Sequence, residues 1–228
     1  MSSTFSKRQV LPVVHYLNYT LALSEADLAF RAGADGVFLI SHGNENKALP
    51  RLARILKDRY PGKRIGLNLL GESPLQALDI AEQAGLDMVW ADNPGVSSAG
   101  WTEAGAELAE HLRNGSPVAF FGSVAFKYQP YEPEPGRAAV LAALNGMLPT
   151  TSGTATGAAP EIEKIRRMSE ALAGGPLAVA SGMTPGNVAD YLPYITHYLV
   201  ATGVSHDAHH FDEAKLSAFI RTVHEYQP

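Results

Sequence analysis

Short apolar runs alternate with helical patterns along the whole chain, and this alternation limits the possible folds more than any other feature. The first run is Val10 to Val14, and the segment after it carries Ala22, Ala26 and Ala29 at helical spacing. The runs lack the alternating polar positions of a sheet with one solvated face, so both faces are predicted to be covered by helices. Eight such units favour a parallel sheet closed into a (β/α)8 barrel, the TIM barrel. An open doubly wound sheet is the alternative.

Two near copies in the first half of the chain mark the repeating unit. Residues 32–37 read Ala-Gly-Ala-Asp-Gly-Val, and residues 84–89 read Ala-Gly-Leu-Asp-Met-Val. Each copy closes a helix with glycine and enters a strand within a few residues. Between them, Ser73 to Gln76 form a capping box with Pro74 at the first helical position. The doubly wound alternative is weakened because the dinucleotide fingerprint of three close glycines does not follow the first strand.

Composition limits the class of protein and its partners. A chain of 228 residues without a linker predicts a single domain, 1–228, with residues 1–8 as a flexible N-terminal lead. The net charge of -5 and the absence of a Lys/Arg-rich run argue against nucleic acid as a partner. The absence of cysteine excludes disulfides and thiolate chemistry. With no apolar run long enough to span a bilayer, we predict a cytoplasmic protein with no membrane partner. The sequence leaves open whether the chain forms a homo-oligomer.

Two glycine loops near the end of the chain are candidates for a binding site. Each follows one of the last two apolar runs. Glycine lets main-chain amides approach a ligand, and Thr184 with Pro185 can begin a helix whose positive end faces the loop. Barrels often bind phosphate after strands seven and eight. Ordinary strand-to-helix turns are the alternative. The residues predicted to bind a phosphate group are Ser181, Gly182, Met183, Thr202, Gly203 and Val204.

Lys127 and Asp92 are candidate catalytic residues, because each is predicted at the carboxyl end of a strand, where barrel enzymes place their reactive groups. The Lys127 ammonium could hold an oxyanion or attack a carbonyl as a Schiff-base nucleophile. A lysine directed to solvent or to Glu132 is the alternative. Asp92 is the best candidate for a general base. The alternative is a turn residue whose carboxylate accepts hydrogen bonds from the amides after it.

Histidines and further polar residues are predicted at the same face. His15 and His42 end the first two runs and are candidates for acid, base or proton shuttle. Asn68 and Ser152 are predicted to line the same pocket. The His-rich segment 206–210 lacks the HExxH spacing and is predicted to be a solvated loop. The sequence therefore predicts no metal site and no cofactor.

Several segments, taken in order, resemble the BtpA-type family of barrels. Residues 152–157, 181–188 and 201–204 are similar to its C-terminal half, residues 125–127 to the end of its fifth strand, and residues 13–15 to its first strand. The resemblance is close over the last half and loose over the first, where the loop after strand one is shorter than in the family. More distantly, the chain is similar to phosphoribosylanthranilate isomerase and indole-glycerol-phosphate synthase. This resemblance implies a ribulose-phosphate-binding type of barrel, in a family linked with photosystem assembly and chemically poorly defined.

These observations lead to one main functional hypothesis and two alternatives. The main hypothesis is an enzyme that acts on a small phosphorylated metabolite, a sugar phosphate or phosphoribosyl compound, by isomerisation or carbon-bond lysis. Asp92 would move the proton, Lys127 would hold the oxyanion, and His15 or His42 would shuttle protons. The first alternative is a non-catalytic BtpA-like scaffold or ligand-binding barrel. The second is a metal-dependent hydrolase that uses the histidines and Asp92.

Overall fold

Eight parallel strands close into one barrel in the computed structural model, which describes residues 8–43 and 45–227. Each strand pairs with its neighbours in the chain, and the last pairs with the first. The prediction of a single (β/α)8 barrel is confirmed, and the open-sheet alternative is wrong. The strands are β1 (Gln9–His15), β2 (Gly36–Ile40), β3 (Arg64–Asn68), β4 (Met88–Ala91), β5 (Ala119–Ser123), β6 (Met147–Thr151), β7 (Ala178–Ala180) and β8 (His197–Val200).

Helices cover the outside of the barrel, and several of them begin at capping residues that the sequence offers. Ser73 accepts a hydrogen bond from the amide of Gln76 at 3.2 Å, with Pro74 as the first helical residue. Thr102 caps the next helix in the same way. The helices are α1 (Tyr19–Arg31), α2 (Leu49–Arg59), α3 (Pro74–Gln83), α4 (Glu103–Arg113), α5 (Pro135–Leu144), α6 (Ile162–Ala171) and α7 (Glu213–Glu225).

The core has two layers, because successive side chains of a strand point to opposite faces. Along β1, Leu11 and Val13 fill the interior of the barrel, whereas Val10 and Val14 pack between the barrel and the helices. The interior is filled mainly by large side chains, among them Phe38, Met88, Trp90, Phe121 and Leu199. The barrel is therefore a packed core, and the space for a ligand lies above it at the ends of the strands.

Polar side chains at the amino ends of the strands link neighbouring strands. Asp35, just before β2, accepts the amide of Val10 in β1 at 2.8 Å. Asp87, just before β4, accepts the amide of Ile65 in β3 at 2.9 Å. These aspartates come from the two near copies, 32–37 and 84–89. The repeat in the sequence is thus a structural clamp on the face opposite the carboxyl ends of the strands.

Three segments differ from the sequence prediction. The predicted helix after β7 is a 3₁₀ helix, Val188–Tyr191, because the Asn187 side chain folds back to bond the Thr184 amide and the Gly182 carbonyl. A short hairpin, Val96–Ser97 with Gly100–Trp101, occupies the loop after β4. Strand β5 ends at Ser123, so Lys127 lies in the loop after the strand and not at its end as predicted, because the backbone turns at Ala125, where φ is 48°.

The described chain begins on an anchored residue. The Arg8 guanidinium donates to the Leu192 carbonyl at 2.7 Å and stacks on the Tyr226 ring at 4.3 Å. Residues 1–7 of the predicted flexible lead lie outside the described residues, as do Asn44 and Pro228. None of the helices within residues 8–43 and 45–227 is both long and apolar enough to cross a membrane.

Candidate functional site

A cavity of about 300 Å³ opens at the carboxyl ends of the strands, and we call it the mouth cavity. Its lower wall is apolar, from side chains that top the barrel interior, including Val13, Trp90 and Leu199. Six of the predicted site residues line it together. They are His15, His42, Asp92, Lys127, Ser181 and Thr202.

The Lys127 side chain reaches across the mouth cavity to the loop after β7. Its Nζ lies 3.2 Å from the Ser181 hydroxyl oxygen and 3.2 Å from that of Thr156. The alternative of a pair with Glu132 is wrong, because the Glu132 carboxylate accepts the Ser98 amide at 2.9 Å instead. The ammonium therefore lies beside the loop for which the sequence predicts a phosphate.

Asp92 lies at the end of β4 and is held by a buried amide. Its Oδ1 accepts a hydrogen bond from Asn68 Nδ2 at 3.0 Å. The neighbouring Asn93, rather than Asp92, makes the turn contact, since its side chain accepts the Gly95 amide at 3.2 Å. Asn68 and Asp92 also line a side cavity of about 200 Å³ next to the mouth. The Asp92 carboxylate is thus available to a ligand on the mouth side.

The histidines at the mouth have distinct surroundings. The rings of His15 and His42 meet edge to face with centroids 5.2 Å apart, and His209 Nδ1 lies 3.2 Å from the His15 carbonyl oxygen. Burial lowers the pKa of His15 from 6.5 to about 4, and the positive charges of His42, His209 and Lys127 add to the effect. His15 is therefore neutral at pH 7.

The two glycine loops divide into residues that face the cavity and residues that pack the loops. Ser181 and Thr202 line the mouth cavity. A Cβ at Gly182 would lie 2.2 Å from the backbone nitrogen of Ala159, and one at Gly203 would lie 2.0 Å from the Met183 carbonyl oxygen. Both glycines therefore let neighbouring backbones approach closely. Met183 itself is buried in the outer core.

One amide that the sequence predicts for phosphate is already used within its own loop. The amide of Val204 donates to the Ala201 carbonyl at 2.9 Å and closes the short 3₁₀ turn Thr202–Val204. The change of α-helix to 3₁₀ helix after β7 likewise removes the predicted helix end. The loss of this amide leaves a phosphate at the mouth more dependent on the other predicted loop residues, on the two hydroxyls and on Lys127.

Ser181 holds an unusual backbone conformation. Its φ is 81°, in a region of backbone conformation that residues other than glycine rarely adopt, and Gly182 follows with φ of 74°. Strain of this kind persists where the surrounding structure requires it, often at binding sites. Here it turns the Ser181 hydroxyl toward Lys127.

Two further residues organise the mouth: Gln129, which the sequence analysis missed, and Thr156, from a segment that resembles the BtpA-type family. Gln129 Nε2 donates to the carbonyls of Asp92 at 2.7 Å and Ser123 at 3.0 Å, while its Oε1 accepts the Phe126 amide at 3.0 Å. One side chain thus joins the ends of β4 and β5. Thr156 reaches Lys127 from the loop after β6. No local pattern in the sequence signals either contact, because both depend on loops that meet only in the fold.

The remaining predicted residues lie away from the mouth. Ser152 is fully buried, and its hydroxyl accepts the Lys127 amide at 2.8 Å. In the His-rich segment, His206 and His210 are exposed, as predicted for a solvated loop. Within residues 8–43 and 45–227, the single trio of metal-ligating side chains with donor atoms within 4.8 Å lies between α3 and α4: Asp79, Glu82 and His111. The hydrolase alternative thus gains no ligand set at the mouth of the described chain.

Comparison with known proteins reveals a likeness to solved phosphosugar enzymes. Phosphoribosyl anthranilate isomerase from Thermus thermophilus aligns with a TM-score of 0.65 and 18% identity, over 94% of this chain and 98% of that chain. The 2-keto-3-deoxy-6-phospho-gluconate aldolase from Zymomonas mobilis aligns with a TM-score of 0.65 and 18% identity, over 99% and 96%. The likeness is one of fold. Identities this low leave the reaction open.

A second isomerase gives the same picture. Phosphoribosyl anthranilate isomerase from Thermotoga maritima aligns with a TM-score of 0.65 and 16% identity, over 94% of this chain and 98% of that chain. The predicted similarity to this isomerase is thus confirmed at the level of the fold. No family model and no curated protein matches the chain, so membership of the BtpA-type family stays a prediction.

Proposed function

We propose that this barrel is an enzyme that binds a small phosphorylated metabolite at the mouth and isomerises it or cleaves a carbon bond. One observation supports this above the others. A single cavity gathers Asp92, Lys127 and two histidines beside Ser181 and Thr202 from the last two strand ends. The folds that resemble this one include an isomerase and an aldolase of phosphorylated compounds, which agrees with the proposal.

The phosphate is proposed to lie between the loops after β7 and β8. Ser181 and Thr202 offer hydroxyl donors there, and the Lys127 ammonium, 3.2 Å from the Ser181 hydroxyl, offers the positive charge. An anchored phosphate fixes the rest of the substrate over the mouth, so that binding energy positions the reacting atoms.

Asp92 is proposed to act as the general base at the other side of the cavity. Asn68 orients its carboxylate through one oxygen and leaves the second oxygen for a substrate proton. The charge that develops on the substrate oxygen would be stabilised by Lys127. Neutral His15 can donate a hydrogen bond to the same oxygen, which suits an enediol or enolate intermediate.

Binding is tested by thermal unfolding with sugar phosphates, phosphoribosyl compounds and inorganic phosphate. A ligand at one hundred times its dissociation constant stabilises the fold by about 2.7 kcal/mol. Thr202 is exposed, so Thr202→Asp adds a repulsive charge to the loop. Thr202→Asn is the neutral control, because asparagine has the shape of aspartate without its charge. We expect a phosphorylated compound to raise the midpoint of the wild type and the Asn variant but not of the Asp variant. Equal shifts in all three proteins would contradict the phosphate site.

Catalysis is tested on the compound that this screen identifies. Asp92→Asn is expected to lower turnover by about 10² to 10⁴ and to keep the ligand-induced rise in midpoint, since the general base is lost and the anchor remains. Lys127→Met is expected to lower both turnover and binding. If a compound binds at the mouth but neither the wild type nor any variant turns it over, the non-catalytic binding barrel is the better description.

A further inference from the structure

A second cavity, of about 570 Å³, lies beside the mouth cavity between the loops after β5 and β6. The two cavities share Lys127 and Tyr128 as lining residues. Thr156 lies between them, 3.2 Å from Lys127 Nζ and 3.5 Å from the Tyr128 hydroxyl. The second cavity therefore lies outside the barrel axis, behind the contacts that bound the mouth on this side.

Lys164, from the first turn of α6, lines this second cavity, and its ammonium group makes fewer hydrogen bonds than it has N–H donors. Its Nζ donates to the Ser152 carbonyl at 2.8 Å and to the Ala125 carbonyl. An ammonium has three N–H donors, so one is left after these two bonds. Among the described residues, no carboxylate forms an ion pair with it.

The charges around Lys164 leave it short of a counterion. Burial lowers its pKa to about 8, and the charge of Glu161 opposes this only in part. The Glu161 side chain is exposed to solvent. Glu132, which also lines the cavity, accepts the amides of Ser98 and Glu134 at 2.9 Å each. A half-buried cation with no paired carboxylate is costly unless an anion joins it.

We propose that Lys164 is the centre of a second anion site, which takes the carboxylate or phosphate group of a small ligand in the cavity between the loops after β5 and β6. The spare N–H of Lys164 meets the anion, and the cavity is large enough for the rest of the molecule. Lys127 faces the same space from the mouth side. The site does not depend on the function proposed for the mouth.

The test is limited reductive dimethylation of the wild-type chain near pH 8, with the rate at each lysine read by mass spectrometry. Lys164, Lys127 and the exposed Lys47 are followed with inorganic phosphate, with acetate, and with neither. An anion at ten times its dissociation constant should slow Lys164 by about tenfold and leave Lys47 unchanged. Protection by acetate as well as phosphate would identify a carboxylate site, and protection by phosphate alone a phosphate site.

Each remaining outcome bears on one site separately. The Thr202→Asp variant blocks the mouth, so Lys164 should stay protected in it. Loss of that protection in Thr202→Asp, or unprotected Lys164 in the wild type, overturns the second site. Failure of phosphate to protect Lys127 counts against the mouth site instead. Lys164→Met removes both carbonyl bonds together with the charge, so Lys164→Arg, which keeps the charge and can donate to the same carbonyls, serves as the control for any loss of anion binding in the Met variant.

Discussion

At the scale of single residues, Ser181 offers the sharpest test of how backbone strain serves the site. Its φ of 81° disfavours any Cβ, whereas glycine accepts this conformation freely. We expect Ser181→Gly to be more stable than Ser181→Ala by roughly 1 kcal/mol in denaturant unfolding. Both variants lose the hydroxyl beside Lys127 and should bind the mouth ligand more weakly than the wild type. Equal stability of the two variants would show that the backbone relaxes at this position.

The residue scale also separates what the sequence predicts from what it does not. Residues such as His15 and Lys127 could be predicted, because each follows an apolar run directly and strand ends meet at one face. Lys164 could not, since its position on α6 gives no sign that the loops after β5 and β6 bury it. Gln129 was missed for the same reason: its three hydrogen bonds span two strand ends.

At the scale of elements, the aspartate clamps at the amino ends of the strands should carry stability and no activity. Asp87 accepts the Ile65 amide and pairs with Lys57 at 2.7 Å. We expect Asp87→Ala to lower the free energy of unfolding by roughly 1–3 kcal/mol, because the buried amide loses its acceptor. Asp58→Ala, an exposed position on α2, is the control and should change stability by less than about 0.5 kcal/mol. Ligand-induced stabilisation should be the same in both, and a selective loss of it in Asp87→Ala would contradict this division.

The elements themselves were predictable where local chemistry and the fold agree. Ser73 and Thr102 begin helices because their side chains satisfy free amides, which is a local effect. Thr184 and Pro185 carry the same signal, yet the Asn187 side chain takes the Thr184 amide and the chain forms a 3₁₀ turn. The hairpin after β4 was missed because strands of two residues leave no periodic pattern.

At the scale of the whole molecule, the buried His197 and the half-buried His15 make the fold sensitive to acid. Burial lowers the pKa of His197 from 6.5 to about 4, as it does for His15. The unfolded chain then binds more protons than the fold between these values, so stability falls as the pH drops below about 6.5, and the contribution of these two groups is fully lost near pH 4. The contribution of His197 is on the order of 3 kcal/mol.

Unfolding by urea at a series of pH values tests this origin of acid sensitivity. We expect the free energy of unfolding of the wild type to decline between pH 6.5 and pH 4, and the decline to be smaller in His197→Gln. Leu17→Gln, at an exposed position without an ionisable group, is the control and should leave the slope unchanged. An equal slope in His197→Gln and the wild type would assign the acid sensitivity to other groups.

The polar contacts at the amino ends of the strands follow the order of the strand pairs along the chain. Asp35 and Asp87 hold the amide of the preceding strand in the first two quarters of the barrel, and the Thr196 hydroxyl does the same for Leu177 at 3.0 Å in the last quarter. In the third quarter, Ser116 bonds Val118 from two residues earlier instead. In the described chain, the third pair of strands therefore lacks the side-chain tie that closes the other three. The amino end of the barrel should open first at this pair, where amide hydrogen exchange should be fastest.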